Sequence, residues 1–225
     1  NVIFDIQENH KVQIKQITIL GNNYFPDADL KAIIETREGN ELSWLSGSGT
    51  YKEEAFQTDM MRLQAYYLDH GFIQVKVGQP TVEMTPDKRY IFVTFRITEG
   101  EQFRIGKMSF SGQVELVDKK SNVLVDEDIL RKELTIKPGQ LFSRSMLFQQ
   151  IQQLALTYKD YGYAFVNITP NSQIHPAQRF VDFDMHVERG PLVYFNRAMP
   201  KHVIKYCAVN WPLLKVSATA RRLYR

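Results

Sequence analysis

The 225-residue sequence has one cysteine, Cys207, and no apolar run long enough to cross a bilayer. A single cysteine excludes an internal disulfide, and a membrane-spanning helix needs about 20 consecutive apolar residues. Acidic residues are absent from 189–225, where eight lysines and arginines occur. The rest of the chain then holds 20 basic and 25 acidic residues, so the formal net charge of +3 comes from one end. A mildly acidic body argues against nucleic-acid binding.

What the chain does contain is one pattern written twice, with a period of about 90 residues. The recurring positions are Gly21 with Gly112, Asp69-x-Gly71 with Asp160-x-Gly162, Arg89 with Arg179, and Gly100 with Gly190. A repeat of this length is a small domain, and arrays of such domains commonly form docking surfaces. The repetition therefore favours a binding array over a single catalytic pocket.

Each copy predicts a strand, two helices and two further strands. Apolar residues of the first strand change phase after Ile14 and again after Ile105, which indicates a bend or a bulge. The second helix carries one apolar stripe in each copy, and Gly71 and Gly162 are placed to end it. The stripe residues are Phe56, Met60, Leu63 and Tyr67 in the first copy, and Leu147, Ile151, Leu154 and Tyr158 in the second.

The two closing strands alternate apolar and polar residues, which predicts a sheet with one face covered and one face in water. Pro80 and Pro170 are expected to end the first of these strands, and turns are expected near 86–88 and 176–178. The order β-α-α-β-β predicts the α+β class. We expect tandem two-layer domains, each with a three-stranded mixed sheet covered on one face by two helices.

The repeat divides the chain into five parts. Residues 1–10 match the end of a preceding unit, 11–100 and 101–190 are complete units, and 191–197 match the start of a third. The basic segment 198–225 matches nothing in the unit. A cloning remnant or an out-of-frame read-through would explain it, and a native basic amphipathic segment is the alternative. Because no signal peptide precedes Asn1, we expect a fragment or a mature segment.

The candidate chemistry gives no site. The five histidines lack metal-ligand spacing, so we expect no metal. Asp182 and Asp184 alternate along a strand and are expected on its solvated face. The loop 46–50 precedes a helix but lacks the lysine of a phosphate-binding loop. The tyrosines near the helix ends are expected to pack in the core or at its rim, so we predict no cofactor, no small-molecule substrate and no catalysis.

Several segments resemble POTRA domains, the periplasmic repeats that precede the barrel in BamA-type outer-membrane assembly factors. The opening strand 12–22 ends in Gly-Asn, and 66–72 reads Tyr-Tyr-Leu-Asp-His-Gly-Phe, like the helix-to-strand junction of that family. The segments 86–88 and 97–100 resemble its closing hairpin, and 161–164 repeats the junction in the second copy. The resemblance covers residues 1–197 and is closest to the third and fourth domains of such a factor.

The resemblance implies a periplasmic part of a Gram-negative outer-membrane protein. Its partners would be unfolded outer-membrane proteins, accessory assembly lipoproteins and the protein's own C-terminal membrane barrel. The same domain type also occurs in the transporters of two-partner secretion and in translocation-assembly homologues, and these are the alternative.

A small sheet has edges whose unpaired N–H and C=O groups accept an extended strand by β-augmentation, with little dependence on the guest's sequence. In the resembling family the edge is the strand after the long helix. The implied edge residues are Phe72, Ile73, Gln74, Val75, Lys76, Val77, Gly78, Tyr163, Ala164, Phe165, Val166, Asn167, Ile168 and Thr169. Val75→Pro or Val166→Pro is expected to remove an edge donor, unless neighbouring domains cover both edges.

Overall fold

The computed structural model describes residues 12–39, 53–117 and 123–193. The predicted remnant at 1–10, the loop 46–50, most of 191–197 and the basic segment 198–225 lie outside the described residues. The described strands are β1 (Gln13–Leu20), β2 (Lys76–Val77), β3 (Thr81–Met84), β4 (Tyr90–Thr98), β5 (Arg104–Gly112), β6 (Leu116–Val117), β7 (Val123–Val125), β8 (Asn167–His175) and β9 (Phe180–Glu188). The described helices are α1 (Asp27–Ile33), α2 (Glu53–Asp69), α3 (Glu127–Glu133) and α4 (Arg144–Asp160).

The first repeat forms a mixed sheet around β4. Strand β1 pairs with β4 in parallel, and β2 and β3 pair with the other side of β4 antiparallel. The register of β1 shifts between Ile14 and Gln16, which confirms the bulge expected from the change of phase. Both Ile14 and Ile17 are therefore buried although they are three residues apart.

One face of this sheet packs against α1 and α2. Strand β4 alternates buried and more exposed residues along its length, with Ile91, Val93, Phe95 and Ile97 buried. Leu30 of α1 and Phe56, Leu63 and Tyr67 of α2 belong to the same apolar cluster. The predicted helix stripe and the predicted covered face of the sheet are both confirmed.

The second repeat forms the sheet β5-β9-β8. Strand β9 again buries every second residue, and Leu147, Leu154 and Tyr158 of α4 are buried as their counterparts on α2 are. The longer connection between β5 and α3 contains the small antiparallel pair β6-β7. Asp126 caps α3 by accepting a hydrogen bond from the N–H of Ile129, which fixes the start of this helix.

The two prolines act differently from the prediction. Pro80 interrupts its strand, but pairing resumes at Thr81, so the first sheet has four strands where three were expected. Pro170 lies inside β8, and the expectation that it ends the strand is wrong. Because β8 is at the edge of its sheet, the nitrogen of Pro170 can point away from β9 and no ladder hydrogen bond is lost.

The described chain divides into two compact units whose boundaries differ from those of the repeats. The first unit comprises the described residues up to Lys107 together with Lys137–Leu147 and Gln173–Asp182. The second unit comprises the described residues of 108–136, Phe148–Ser172 and the described residues from Phe183 onward. In the described ranges, no helix combines the length and the apolar character that crossing a bilayer requires.

Candidate functional site

The predicted edge of the first repeat is only partly a strand. Phe72–Val75 forms a turn closed by a hydrogen bond from the N–H of Val75 to the carbonyl of Phe72, 3.2 Å long. Strand pairing begins at Lys76 and includes Val77. The second repeat has the same arrangement, because the N–H of Val166 donates to the carbonyl of Tyr163 over 3.2 Å and β8 begins at Asn167.

The expectation that Val75 and Val166 carry free edge donors is therefore wrong. Both N–H groups close turns that follow the long helices, and the first of these turns buries Phe72 and Val75 before its strand begins. Of the fourteen predicted edge residues, the structure places Lys76 and Val77 in β2, and Asn167, Ile168 and Thr169 in β8. Whether any of the fourteen contacts a partner remains a prediction.

The hydrogen-bond pattern of β3 shows which of its backbone N–H and C=O groups face away from β4, at the edge of the first sheet. The N–H of Thr85 donates to the carbonyl of Tyr90 over 2.9 Å, just beyond the pair Met84–Ile91. Bonded and non-bonded pairs alternate along an antiparallel ladder. Val82 and Met84 therefore turn their N–H and C=O groups away from β4, toward the side of β3 on which no described strand pairs.

A bulge divides this edge. The N–H of Gly78 donates to the carbonyl of Arg96 over 2.9 Å, and the register resumes at Thr81 opposite Thr94. Gln79 and Pro80 consequently stand together opposite Phe95. The first edge thus offers a short stretch before Pro80 and a second stretch at β3.

The second edge is continuous but carries Pro170 at an outward position. A proline in an edge strand is accommodated where its nitrogen faces away from the neighbouring strand. The alternation of a regular antiparallel strand would then direct the N–H groups of Ser172 and Ile174 outward as well. The stretch 171–175 is then the counterpart of β3. Both repeats place a proline at the same point of the edge, which is a known means of limiting unwanted strand pairing.

Apolar side chains accompany both edges. Val82 and Met84 lie opposite Val93 and Ile91 and so share the face of the core, yet they are 38% and 54% exposed. Ile174 of β8 is 43% exposed. An added strand would cover apolar surface in addition to satisfying backbone groups.

A buried polar residue on each long helix was missed by the sequence analysis. Asp59 accepts hydrogen bonds from the N–H groups of Glu35 and Thr36, and Gln150 accepts from the N–H of Thr135 over 2.7 Å. Gln150 also donates to the carbonyl of Glu133 over 3.1 Å. Each side chain thereby satisfies backbone groups at the end of the short helix in its own repeat.

The buried tyrosine of each long helix is tied to the loop after the first strand by different means. In the first repeat, Oε1 of Glu99 accepts from the hydroxyl of Tyr67 over 2.9 Å and from the N–H of Tyr24 over 3.0 Å. In the second, the hydroxyl of Tyr158 donates to the carbonyl of Val114 over 2.6 Å. Arg189, at the position of Glu99, donates to the carbonyl of Glu115 over 2.9 Å.

The environment raises the pKa of both tyrosines. Burial is the main cause at Tyr67, and the neighbouring Glu99 carboxylate raises the pKa further. Burial likewise raises the pKa of Tyr158 to about 12. Both phenols are core residues, as expected for Tyr67 near the end of its helix and for Tyr158 within the apolar stripe of its own.

The solvated face of the second sheet carries a polar network. Asp182 accepts from the N–H of Lys107 over 2.6 Å and lies 3.0 Å from Nε2 of His175. Ser111 donates to Asp184 over 2.5 Å, and its Oγ is 3.0 Å from Nδ1 of His186. The expected solvated placement of the two aspartates is confirmed.

This network is not arranged as a nucleophile–base–acid relay. In such a relay the acid is bonded to the histidine and the histidine takes the hydroxyl proton. Here Ser111 donates its single hydroxyl proton to Asp184 and not to the ring of His186. Within 12–39, 53–117 and 123–193, no three His, Cys, Asp or Glu side chains group as metal ligands.

Comparison with known proteins identifies the repeat. The family model POTRA, described as surface antigen variable number repeat, matches residues 12–100 and 103–190. The outer membrane protein assembly factor BamA of Nitratidesulfovibrio vulgaris is 28% identical over 198 residues, which is 88% of this chain and 24% of that protein. BamA of Neisseria meningitidis is 27% identical over 191 residues, or 85% of this chain and 23% of that protein. The chain thus spans about a quarter of the length of these curated relatives.

Solved structures show the same fold. The third to fifth POTRA domains of Haemophilus influenzae BamA superpose with a TM-score of 0.65 at 16% identity, covering 88% of this chain and 76% of that one. BamA of Haemophilus ducreyi lacking POTRA domains 1–3 gives 0.56 at 15% identity, covering 78% and 29%. The two family matches, the α+β sheets and the sequence motifs agree, and the chain belongs to the POTRA family.

Proposed function

We propose that this chain is a non-catalytic periplasmic scaffold of an outer-membrane β-barrel assembly machine. It receives unfolded outer-membrane proteins by pairing their extended strands with the open edges of its two sheets. Accessory assembly lipoproteins and a C-terminal barrel of the same protein are its further partners. The curated relatives named BamA support the assembly role, and the edge geometry supports the mode of binding.

The observation that carries the binding mode is the outward direction of the backbone groups of Val82 and Met84 next to their exposed side chains. Main-chain pairing gives affinity with little sequence preference, which suits a factor that serves many β-rich clients. The edge lies farther along the chain than the sequence alone indicates: β3 and 171–175 are the proposed sites, with β2 and 167–169 as shorter neighbours.

A proline substitution on β3 tests this mode. A photoreactive amino acid at Met84 reports contact with a urea-unfolded outer-membrane β-barrel protein that is diluted into native buffer. Val82→Pro removes one outward N–H and leaves the ladder to β4 intact, so we expect the crosslinking yield to fall at least about threefold. Val82→Ala is the matched control, because it shortens the same side chain and keeps the N–H.

The second edge is tested in the same way, with the photoreactive residue at Ile174 and the pair Ser172→Pro and Ser172→Ala. A photoreactive residue at Arg96, on the central strand β4, measures non-specific contact. Equal yields from folded proline and alanine variants would overturn edge pairing. Yields at Met84 and Ile174 no higher than at Arg96 would overturn the receiving role for this class of client.

A further inference from the structure

The motif Asp69-x-Gly71 bonds to the start of a helix that follows it in the chain. The carboxylate of Asp69 accepts from the N–H of Ser145 over 2.7 Å, from its hydroxyl over 2.6 Å, and from the hydroxyl of Ser143 over 3.2 Å. All of these residues belong to the first compact unit. Ser145 is in the first turn of α4, so Asp69 satisfies an N–H group that has no partner inside the helix.

Asp69 therefore works as a capping carboxylate supplied from outside the helix. Ser143 is the local cap, because its Oγ accepts from the N–H of Met146 over 3.3 Å. A negative charge at a helix N-terminus is stabilised by the helix dipole. Partial burial acts to raise the pKa of Asp69, but the hydrogen bonds from Ser145 and Ser143 outweigh it and hold the pKa below its usual range.

The glycine of the motif fixes the strand that enters the next repeat. Gly71 has a φ of +91°, and its carbonyl accepts from the N–H of Phe103 over 2.8 Å. A Cβ on Gly71 would lie only 2.9 Å from Cγ of Gln102. The positive φ and the close approach of the incoming chain both require glycine here.

The second copy of the motif repeats this geometry within the second compact unit. Gly162 has a φ of +92°, and its carbonyl accepts from the N–H of Val193 over 3.0 Å. A Cβ on Gly162 would lie 3.0 Å from Cδ1 of Leu192. The incoming chain is thus received at Gly162 as it is at Gly71, and Asp160 stands at the surface in the place of Asp69.

We propose that Asp160 is a docking carboxylate for the N-terminus of a serine-led helix presented by a further unit of this fold. The motif Asp-x-Gly then has one role in both copies: the glycine carbonyl binds the incoming strand, and the aspartate caps the long helix that comes after it. This inference concerns recognition between units of one chain and is independent of client binding.

A second copy of the repeat, inserted into the chain, provides a partner unit of known sequence. A copy of residues 101–190 is inserted between Gly190 and Pro191, so that an inserted Phe103 follows Gly190 at the spacing of Val193 and an inserted Ser145 becomes available to Asp160. With Cys207→Ser the chain has no cysteine. Asp160→Cys with Ser145→Cys in the inserted copy is expected to form a disulfide at least about tenfold faster than Lys159→Cys with the same partner.

The positive control is Asp69→Cys with Ser145→Cys in the uninserted chain, whose geometry the structure shows. A second measurement leaves the helix free of cysteine: Asp160→Ala is expected to speed amide exchange of the inserted Ser145 about tenfold, because it removes the cap. Glu83→Ala removes an exposed carboxylate from β3 and should leave that exchange unchanged.

Equal disulfide rates for the Asp160 and Lys159 pairs, while the Asp69 pair forms, would overturn the proposal. If the Asp69 pair also fails, the exchange measurement decides, and equal exchange in the Asp160→Ala and Glu83→Ala proteins would overturn it.

Discussion

The two repeats hold the same loop to the same closing strand with opposite charges. In the first, the Glu99 carboxylate binds an N–H and a hydroxyl; in the second, the Arg189 guanidinium binds a carbonyl. The buried tyrosine adjusts, donating to Glu99 in one copy and to a backbone carbonyl in the other. In both repeats the residue at this position ties the loop to the strand. A carboxylate serves where the loop offers an N–H group, and a guanidinium serves where the loop offers a carbonyl.

The largest effect is expected when the sign is exchanged at the buried position. Glu99 is 8% exposed, and Glu99→Arg leaves the N–H of Tyr24 and the hydroxyl of Tyr67 facing a cation. We expect a loss of about 3 kcal/mol in the free energy of unfolding, measured by urea denaturation. Arg189→Glu, at a half-buried position, should cost about 1 kcal/mol.

Glu99→Gln separates the effect of the negative charge from that of the hydrogen-bond acceptor. Both hydrogen bonds go to the single oxygen Oε1, so the amide oxygen of glutamine can accept both and the loss should stay below about 1 kcal/mol. A cost as large as that of Glu99→Arg would mean that the negative charge, and not the acceptor, is required.

A second contrast is between Asp59 and Gln150. Asp59 uses both carboxylate oxygens as acceptors, whereas Gln150 accepts with its oxygen and donates with its nitrogen. Asp59→Asn and Gln150→Glu should each lower the free energy of unfolding by about 1–2 kcal/mol, because one buried group loses its partner. Gln152→Glu, at an exposed position of α4, is the control and should be near neutral. A neutral Gln150→Glu would contradict the role of its donor.

The raised pKa values of the two buried tyrosines predict a loss of folding stability at alkaline pH. A folded-state pKa above the unfolded value of about 10 favours the neutral phenol, so the stability it gives is present below that pH and lost as the pH rises through the folded pKa. For Tyr158, whose pKa is raised to about 12, this stability is lost between about pH 10 and 12. Tyr158→Phe and Tyr67→Phe should each cost about 1 kcal/mol at neutral pH and flatten the alkaline loss.

Urea titrations between about pH 8 and 11.5 measure the alkaline loss of stability in the wild type and in the two phenylalanine variants, and absorbance at about 295 nm follows the phenolate. An alkaline slope that neither substitution changes would show that other groups cause the loss.

The smallest expected effect on stability comes from the edge prolines. Pro80→Val and Pro170→Val each restore a backbone N–H at an edge and should change the free energy of unfolding by no more than about 0.5 kcal/mol. Pairing with added strands should nevertheless increase in both variants. The increase should be larger for Pro170→Val, because β8 is continuous whereas Gly78 and the bulge still interrupt the first edge. Crosslinking of the unfolded barrel protein and sedimentation of the free protein measure it. A larger gain for Pro80→Val would contradict the assigned edges.

The repeat, the long helices and the bulge after Ile14 could be predicted because each is a direct consequence of burial with a fixed period. The edges could not be placed, since the alternation of 73–77 imitates a strand. Phe72 and Val75 are instead buried from a turn, three residues apart. Turn hydrogen bonds of this kind leave no periodic signal.

Asp59 and Gln150 did leave a signal. Each is a polar residue within the apolar stripe of its helix, three residues after Phe56 or Leu147, and the two are 91 positions apart. A polar residue that recurs at a core position predicts a buried hydrogen-bond role. The pairing of Asp69 with Ser145 had no such signal, because it joins residues 76 positions apart that no period relates.

The bulge in the first strand also allows this domain to lose one residue without losing its core. Since Ile14 and Ile17 both point inward across it, loss of Lys15 would leave a regular strand with every apolar residue still in the core. The second repeat lacks that freedom, because the carboxylate of Asp182 occupies the space beside Gly106 and bonds the N–H of Lys107. Deletion of one residue from the first strand should therefore be tolerated in the first repeat and harmful in the second, so two repeats of one fold can differ in how readily they accept a change of length.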